Sequence, residues 1–225
     1  MATWSTESAT KAFLQTLKMG KRGKEPSSAE FIAALAAGNN AQLMVVVCAD
    51  TVGLSTVIAL GAAAKETGGH AVCILPGTKE LNASRNILGS TVYEEFVEFV
   101  VGDAQSLLME EYFQDADFVL VDCRMRDLKY VMEAGQRCLS GCKRNACLVA
   151  YNALHCVNNV PQVNNSFKVH FLPIGEGLLM VSRVSSSTNS SFSKGSKNHG
   201  AQKKSRWVVK VDQFTGEEHV YRITV

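Results

Sequence analysis

Four sets of residues have types and spacings that could do chemistry. In "VVVCADTVGLST", Val45 to Thr56, an apolar run gives way to Asp50, Gly53 and Ser55. Gly53 leaves room for a ligand to approach the backbone, and Ser55 begins a helix-like stretch whose free amides can meet a carboxylate or phosphate. "VVGDA" ends a second run in Asp103 and Ala104, and "DFVLVDC" ends a third in Asp122. An aspartate so placed could hold a cation, act as a base, or cap the helix that follows. The fourth set is Cys138, Cys142, Cys147, His155 and Cys156, with sulfur and imidazole of the kind zinc takes. Cys138 and Cys142 stand four apart on a helix-like segment, however, and Cys147 lies inside an apolar run. No short-spaced knuckle forms, so buried thiols are expected. His170, also in an apolar run, is expected to be packed.

The elements that must position these groups follow from the apolar pattern. Runs at 43–48, 71–75, 96–101, 117–121 and 146–151 alternate with helix-length segments at about 54–66, 78–89, 104–113 and 127–140. Continuous rather than alternating apolar runs predict strands covered on both faces, hence a parallel sheet with helices on each side. "FKVHFLPIG" and "EGLLMVSRV" are close enough to pair antiparallel around Gly175 and Gly177. The expected fold is α/β, a doubly wound sheet of five parallel strands plus an antiparallel hairpin. Ahead of it, "TESATKAFLQTLKMG" reads as a short helix followed by a basic loop to residue 25. "PSSAEFIAALAAG" reads as a second helix, with the capping pair Ser27 and Glu30 at its start. Residues 26–184 form the expected main domain. Residues 185–205, rich in Ser, Asn, Gly and Lys, are expected to be disordered, and residues 206–225 to form a terminal hairpin.

Composition narrows the function. The chain has 225 residues and a net charge of +2, with 23 basic and 21 acidic side chains. A balance this even gives no global field for nucleic acid or an anionic membrane, and the basic runs at 18–24 and 203–206 read as solvated faces. No segment has the roughly 20 apolar residues a bilayer crossing needs, and residues 1–10 are too polar for a secretory signal. Seven cysteines outside any disulfide-like framework fit reduced thiols, so a soluble, cytoplasmic protein is expected.

Over about residues 26–184, the stretches "TVGLST", "VVGDA", "DFVLVDC", "LVAYNAL" and "FLPIGEGLLMVSRV" resemble, in order, the class I S-adenosylmethionine-dependent methyltransferases. Among these, the chain is most similar to the small cation-dependent O-methyltransferases of the caffeoyl-CoA type. The Leu-Pro-x-Gly-x-Gly turn of the last stretch is the most specific match. With its serine-rich insert and terminal hairpin, the whole chain resembles a plant family of methyltransferase-like proteins that carries a domain of unknown function. The resemblance implies a Rossmann-like sheet with S-adenosylmethionine over Gly53 and Ser55, its adenine beside Asp103 and Ala104, and Asp122 at the position of the first metal ligand.

The same alignment implies departures from the family pattern. The acid for the methionine amine and the glycine two residues on fall on Val47 and Ala49, and the ribose acid falls on Leu75. A lysine of the family falls on Met125, with Arg124 and Arg126 on either side. The remaining metal ligands fall on Tyr151 and Asn152, or on Asn152 and Ala153. Asp50 is the candidate to replace the acid missing at Val47. Asp122 and Asn152 offer at most two oxygens, too few for a hard divalent ion, so no metal is expected. Methyl transfer needs mainly an in-line arrangement of nucleophile and sulfonium, which a metal-free site can supply.

The expected activity is methyl transfer to a small hydroxylated acceptor near Asp122. The alternative is a non-catalytic scaffold of the same fold that binds a protein partner, and a homodimer is compatible with either. A nicotinamide-dependent oxidoreductase is disfavoured, because the turn lacks three glycines and no acid follows the second strand.

Overall fold

The computed structural model describes residues 4–20, 27–89, 91–141, 146–159, 167–183, 205–211 and 218–224. Five short apolar runs become parallel strands: β1 (Leu43–Val47), β2 (His70–Leu75), β3 (Val97–Val101), β4 (Phe118–Asp122) and β5 (Cys147–Tyr151). Two more, β6 (Phe167–Leu172) and β7 (Leu178–Arg183), complete the sheet in the order β3-β2-β1-β4-β5-β7-β6. β7 pairs antiparallel with both β5 and β6. The chain order reverses between β1 and β4, and in an open α/β sheet the ligand crevice lies at that switch, outside the carboxyl ends of the strands.

Every residue of β1 and β4 is buried. Because side chains alternate across a strand, each apolar run feeds two cores. Met44, Val46, Cys73, Leu75, Leu120 and Val149 face one side with α2 (Ser28–Gly38), α3 (Leu54–Thr67) and Leu88 of α4 (Thr78–Leu88). Val45, Val47, Val72, Val119, Val121 and Leu148 face the other with α5 (Ala104–Leu108) and α6 (Leu128–Gly141). Helix α1 (Thr6–Met19) packs outside α2 and α3. It is joined there by a 2.8 Å hydrogen bond from the Ser5 N–H to the Gly38 carbonyl.

The capping pair of α2 forms as expected. The Glu30 carboxylate accepts from the Ser27 N–H at 2.8 Å and from the Ser27 hydroxyl. The helix expected over 104–113 is shorter, because α5 stops at Leu108 and a 3-10 turn follows over Glu111–Asp115. Glu110 between them is extended, with ψ at 149°, and Phe113 is buried to 3% exposure. Burying that ring competes with a continuous helix and wins. His170, expected to be packed, is exposed on β6, which borders the sheet and has only β7 beside it.

By contact, the chain divides into Met1–Ser185 and Ser186–Val225. In the second unit β8 (Ser205–Val211) and β9 (Glu218–Thr224) pair antiparallel, with Val208 opposite Tyr221. Of the stretch 185–205 expected to be disordered, Ser205 instead opens β8, and residues 185–204 lie outside the described residues. No helix among the described residues is long and apolar enough to cross a membrane.

The turn into β7 needs glycine at Gly177, whose φ is +81° and where an added Cβ would stand 3.1 Å from the Phe171 ring. A left-handed residue with a Cβ costs about 1–2 kcal/mol. Gly177→Ala is expected to lower the midpoint of thermal unfolding by about 4 °C, given 2–4 °C per kcal/mol at this size. An unchanged midpoint would show that the turn relaxes without loss.

Candidate functional site

Alternation along the strands decides which groups meet at the carboxyl end of the sheet. Asp122 follows Phe118 and Leu120 on the α2 and α3 side of β4, opposite Tyr151 on β5. Cys48, one residue past β1, belongs to the same core face. The chain after β4 turns tightly, with the Met125 N–H donating to the Asp122 carbonyl at 3.2 Å, and this brings Arg124 back over Asp122.

Asp122 is fully buried, and its carboxylate is fully engaged. Oδ1 accepts from the Arg124 backbone N–H at 3.0 Å, from Arg124 Nε at 3.1 Å and from Asn152 Nδ2 at 2.9 Å. Oδ2 accepts from Arg124 Nε at 3.1 Å and Nη2 at 2.6 Å. This is a bidentate charge-assisted pair, the strong form of the arginine-carboxylate contact. Asn152 reaches it from a left-handed backbone conformation, φ +57°, which asparagine tolerates better than most residues. Burial alone would raise the Asp122 pKa, but the hydrogen bonds from Arg124 and Asn152 outweigh it and hold the carboxyl below its ordinary value. Burial also holds the Tyr151 phenol well above its usual range, reinforced by Cys48 and Asp122 nearby. Asp50, exposed in the loop after β1, acts electrostatically on Arg124.

The cofactor turn is open. Gly53 is the N-cap of α3, has no side chain to cap the first-turn amides, and is exposed together with Leu54 and Ser55. Its φ of −73° is ordinary, and an added Cβ would meet only the Thr56 and Ser55 hydroxyls at 3.7 and 3.9 Å. The chain's own packing therefore does not require glycine there. A cleft of about 400 Å³ opens beside this turn, lined by Met19 and Gly20 at the end of α1, Ser27 and Ser28 at the start of α2, and Leu54 and Ser55. The α2 contribution was not anticipated, although the capping pair marked where that helix begins.

Of the expected site residues, Asp122 pairs with Arg124, Asp50 acts electrostatically on the same guanidinium, and Ser55 lies on the cleft. Asp103 and Ala104 lie at the end of β3, separated from β1 by β2. Asp103 caps α5, accepting from the Ser106 N–H at 2.8 Å and hydroxyl at 2.7 Å, and these bonds lower its pKa. Ala104 is buried against the α5 and α6 core. Val47 and Leu75 are wholly buried on opposite faces of the sheet.

The metal implied by the resemblance does not fit these residues. A hard divalent ion needs several free oxygen lone pairs, but those of Asp122 are occupied by five donor contacts and Asn152 presents its amide nitrogen. Among the described residues no group of three histidine, cysteine or acidic side chains could hold a metal ion. The thiols are unsuited as well, since burial pushes Cys138 up to about 11 and Cys147 to about 12. Cys142 lies outside the described residues.

Residues 1–223 match DUF1442, described as a protein of unknown function. The chain belongs to the DUF1442 family. No curated protein sequence matches it. Among solved structures, this DUF1442 chain is similar to a methyltransferase from Geobacter sulfurreducens, with 24% identity, a TM-score of 0.51, and coverage of 80% of this chain and 90% of that one. It is also similar to the SAH-bound methyltransferase PaMTH1 of Podospora anserina, with 12% identity, a TM-score of 0.57, and coverage of 81% and 90%. A third is the O-methyltransferase TomG of Streptomyces achromogenes, in complex with SAM and involved in tomaymycin synthesis, with 15% identity, a TM-score of 0.55, and coverage of 81% and 92%. Together with the strand order, these likenesses establish the class I methyltransferase fold.

The lowered Asp122 pKa has a consequence for stability. A carboxyl whose folded pKa lies below its unfolded value, about 3.9, contributes stability that is fully present above that value and is lost as the pH falls through the folded pKa. Melting temperatures measured from pH 6 to pH 2 should therefore fall less steeply below about pH 4 for Asp122→Asn than for the wild type. Parallel curves would mean that the pair does not couple to folding.

Proposed function

We propose that the chain is an S-adenosylmethionine-dependent methyltransferase that acts on a small hydroxylated acceptor without a metal ion. The observation that supports this reading is the uncapped, exposed first turn of α3. It sits at the switch point of the sheet and opens on a cleft of about 400 Å³. When bound, the cofactor supplies an electrophilic methyl group on a sulfonium. The amides of Leu54 and Ser55 would meet its carboxylate, Asp50 its amine, and Asp103 with Ala104 would flank its adenine. Gly53 leaves the approach open. The acceptor oxygen would come to the Arg124 side of Asp122. With its lone pairs engaged, Asp122 acts by holding the guanidinium, whose charge favours an ionised acceptor oxygen, and the acceptor's proton leaves to solvent. Holding the acceptor and the sulfonium in line supplies the remaining rate enhancement.

A second reading, a scaffold that binds a protein partner, is favoured by one observation: Val47 and Leu75 are wholly buried and leave the methionine amine and the ribose hydroxyls without the usual acids. One missing hydrogen-bond partner weakens binding by about 1–3 kcal/mol, a loss other contacts can offset.

Titration calorimetry with S-adenosylmethionine and S-adenosylhomocysteine separates the two. Micromolar affinity, about 8 kcal/mol, unchanged by magnesium, is expected. Gly53→Val should weaken it at least tenfold by filling the approach, and Asp122→Ala should abolish methyl transfer. Absence of heat, with an unchanged melting temperature at millimolar ligand, would leave the scaffold reading. Deleting residues 206–225 should then abolish partner capture while the core stays folded.

A further inference from the structure

A carboxylate buried as completely as Asp122 requires a counter-charge, because an unpaired ion in the interior shifts its pKa or unfolds its surroundings. Two kinds of cation can serve, a bound metal ion or a fixed side chain. The geometry distinguishes them. A divalent ion would have to displace Arg124 Nε and Nη2 from contacts at 2.6 to 3.1 Å. It would also have to reverse Asn152, whose amide donates at 2.9 Å. An ionised carboxylate only accepts, so a donating amide is the orientation that suits the pair as it stands. Asn152 makes this contact from a left-handed conformation, φ +57°, which asparagine adopts more readily than most residues. Asp122 is the main cause that raises the Arg124 pKa, and the charges of Tyr151 and Asp50 add to it.

We propose that Arg124 is the resident cation of this crevice: its guanidinium does for Asp122 what the divalent ion implied by the resemblance would do, so the site is charge-complete without metal. The Asp-Cys-Arg spacing is what permits this. The turn closed by the Met125 N–H returns the third residue over the first, and the planar fork of arginine matches both carboxylate oxygens, which the point charge of lysine does not. The side chain is 43% exposed, against 1% for its partner, so the charge balances Asp122 on one side and meets the crevice on the other. This inference stands apart from the proposed methyl transfer, and its test uses no cofactor.

The test is thermal unfolding of the full chain. The wild type should keep the same midpoint, within about 1 °C, in EDTA and in millimolar magnesium, manganese or calcium, a shift too small for a site that binds them. Arg124→Ala should lower the midpoint by about 10 °C, the scale expected when one partner of a buried pair is removed. Adding Asp122→Asn to that variant should recover at least half of the loss, because the uncompensated charge goes with it. Arg124→Lys should fall between, since it restores the charge and not the fork. The proposal would be overturned by a saturable manganese-induced rise in the wild-type midpoint that Asp122→Asn removes. It would also be overturned if Arg124→Ala alone and with Asp122→Asn were equally destabilised. If Arg124→Ala does not fold, the wild-type metal series and the Arg124→Lys midpoint still decide, and a lysine variant as stable as the wild type would overturn the fork.

Discussion

The double burial of β1 and β4 constrains the rest of the molecule. Neither strand has a face open to water, so each backbone N–H and C=O must find its partner in the ladder or in a side chain. At the amino end of the pair, Asp117 supplies what the ladder lacks. Its carboxylate accepts from the Gln42 N–H at 3.0 Å and the Leu43 N–H at 3.2 Å, where β1 enters the sheet. At the carboxyl end the ladder runs out between layers of helix, and the last residue of β4 is a charged one. Its partners therefore come from the first residues beyond the strands, Arg124 and Asn152. The polar character of the crevice follows from where the strands stop.

The helices in front of the sheet belong to the same arrangement. Asn39 and Asn40 turn the chain from α2 into β1, so α2 runs back along the sheet and begins at its carboxyl end. The Ser27 and Glu30 cap that starts α2 therefore lines the cleft together with the end of α1 and the first turn of α3. A second cleft, lined by Phe13, Phe31, Pro173 and Ile174, lies on the far side of that cap, where the loop into β7 approaches Ser28. Local capping chemistry and the connectivity of the fold thus build the mouth of the site together.

Much of this was legible in the residues themselves. Runs such as "LMVVV" and "FVLVD" have no polar alternation and are short, as suits a strand covered on both sides. The capping pair was equally plain, because it depends on residues three apart. Contacts fixed by tertiary geometry were harder to read. Phe113 turns inward in the 3-10 turn beyond α5, and nothing in its neighbours' propensities says so. His170 lies in an apolar run, yet on a strand at the edge of the sheet only part of that run is covered. Arg124 was visible as nearby charge, but its closure on Asp122 depends on a turn, and the carboxylate's other partner is a left-handed asparagine thirty residues on. The sheet is written in local pattern, whereas the site is written in distances between strand ends.

Val47 and Leu75, buried on opposite faces, limit the routes by which such a chain could change. An acid placed at either position would enter a finished apolar layer with no partner to pair with it, and a buried unpaired carboxylate is among the most damaging single changes. Packing on both faces of the sheet thus locks the apolar side chains at these two positions, because their neighbours have closed around them. New polar contacts are more readily accommodated on the exposed loops, where Asp50 lies, than inside the sheet.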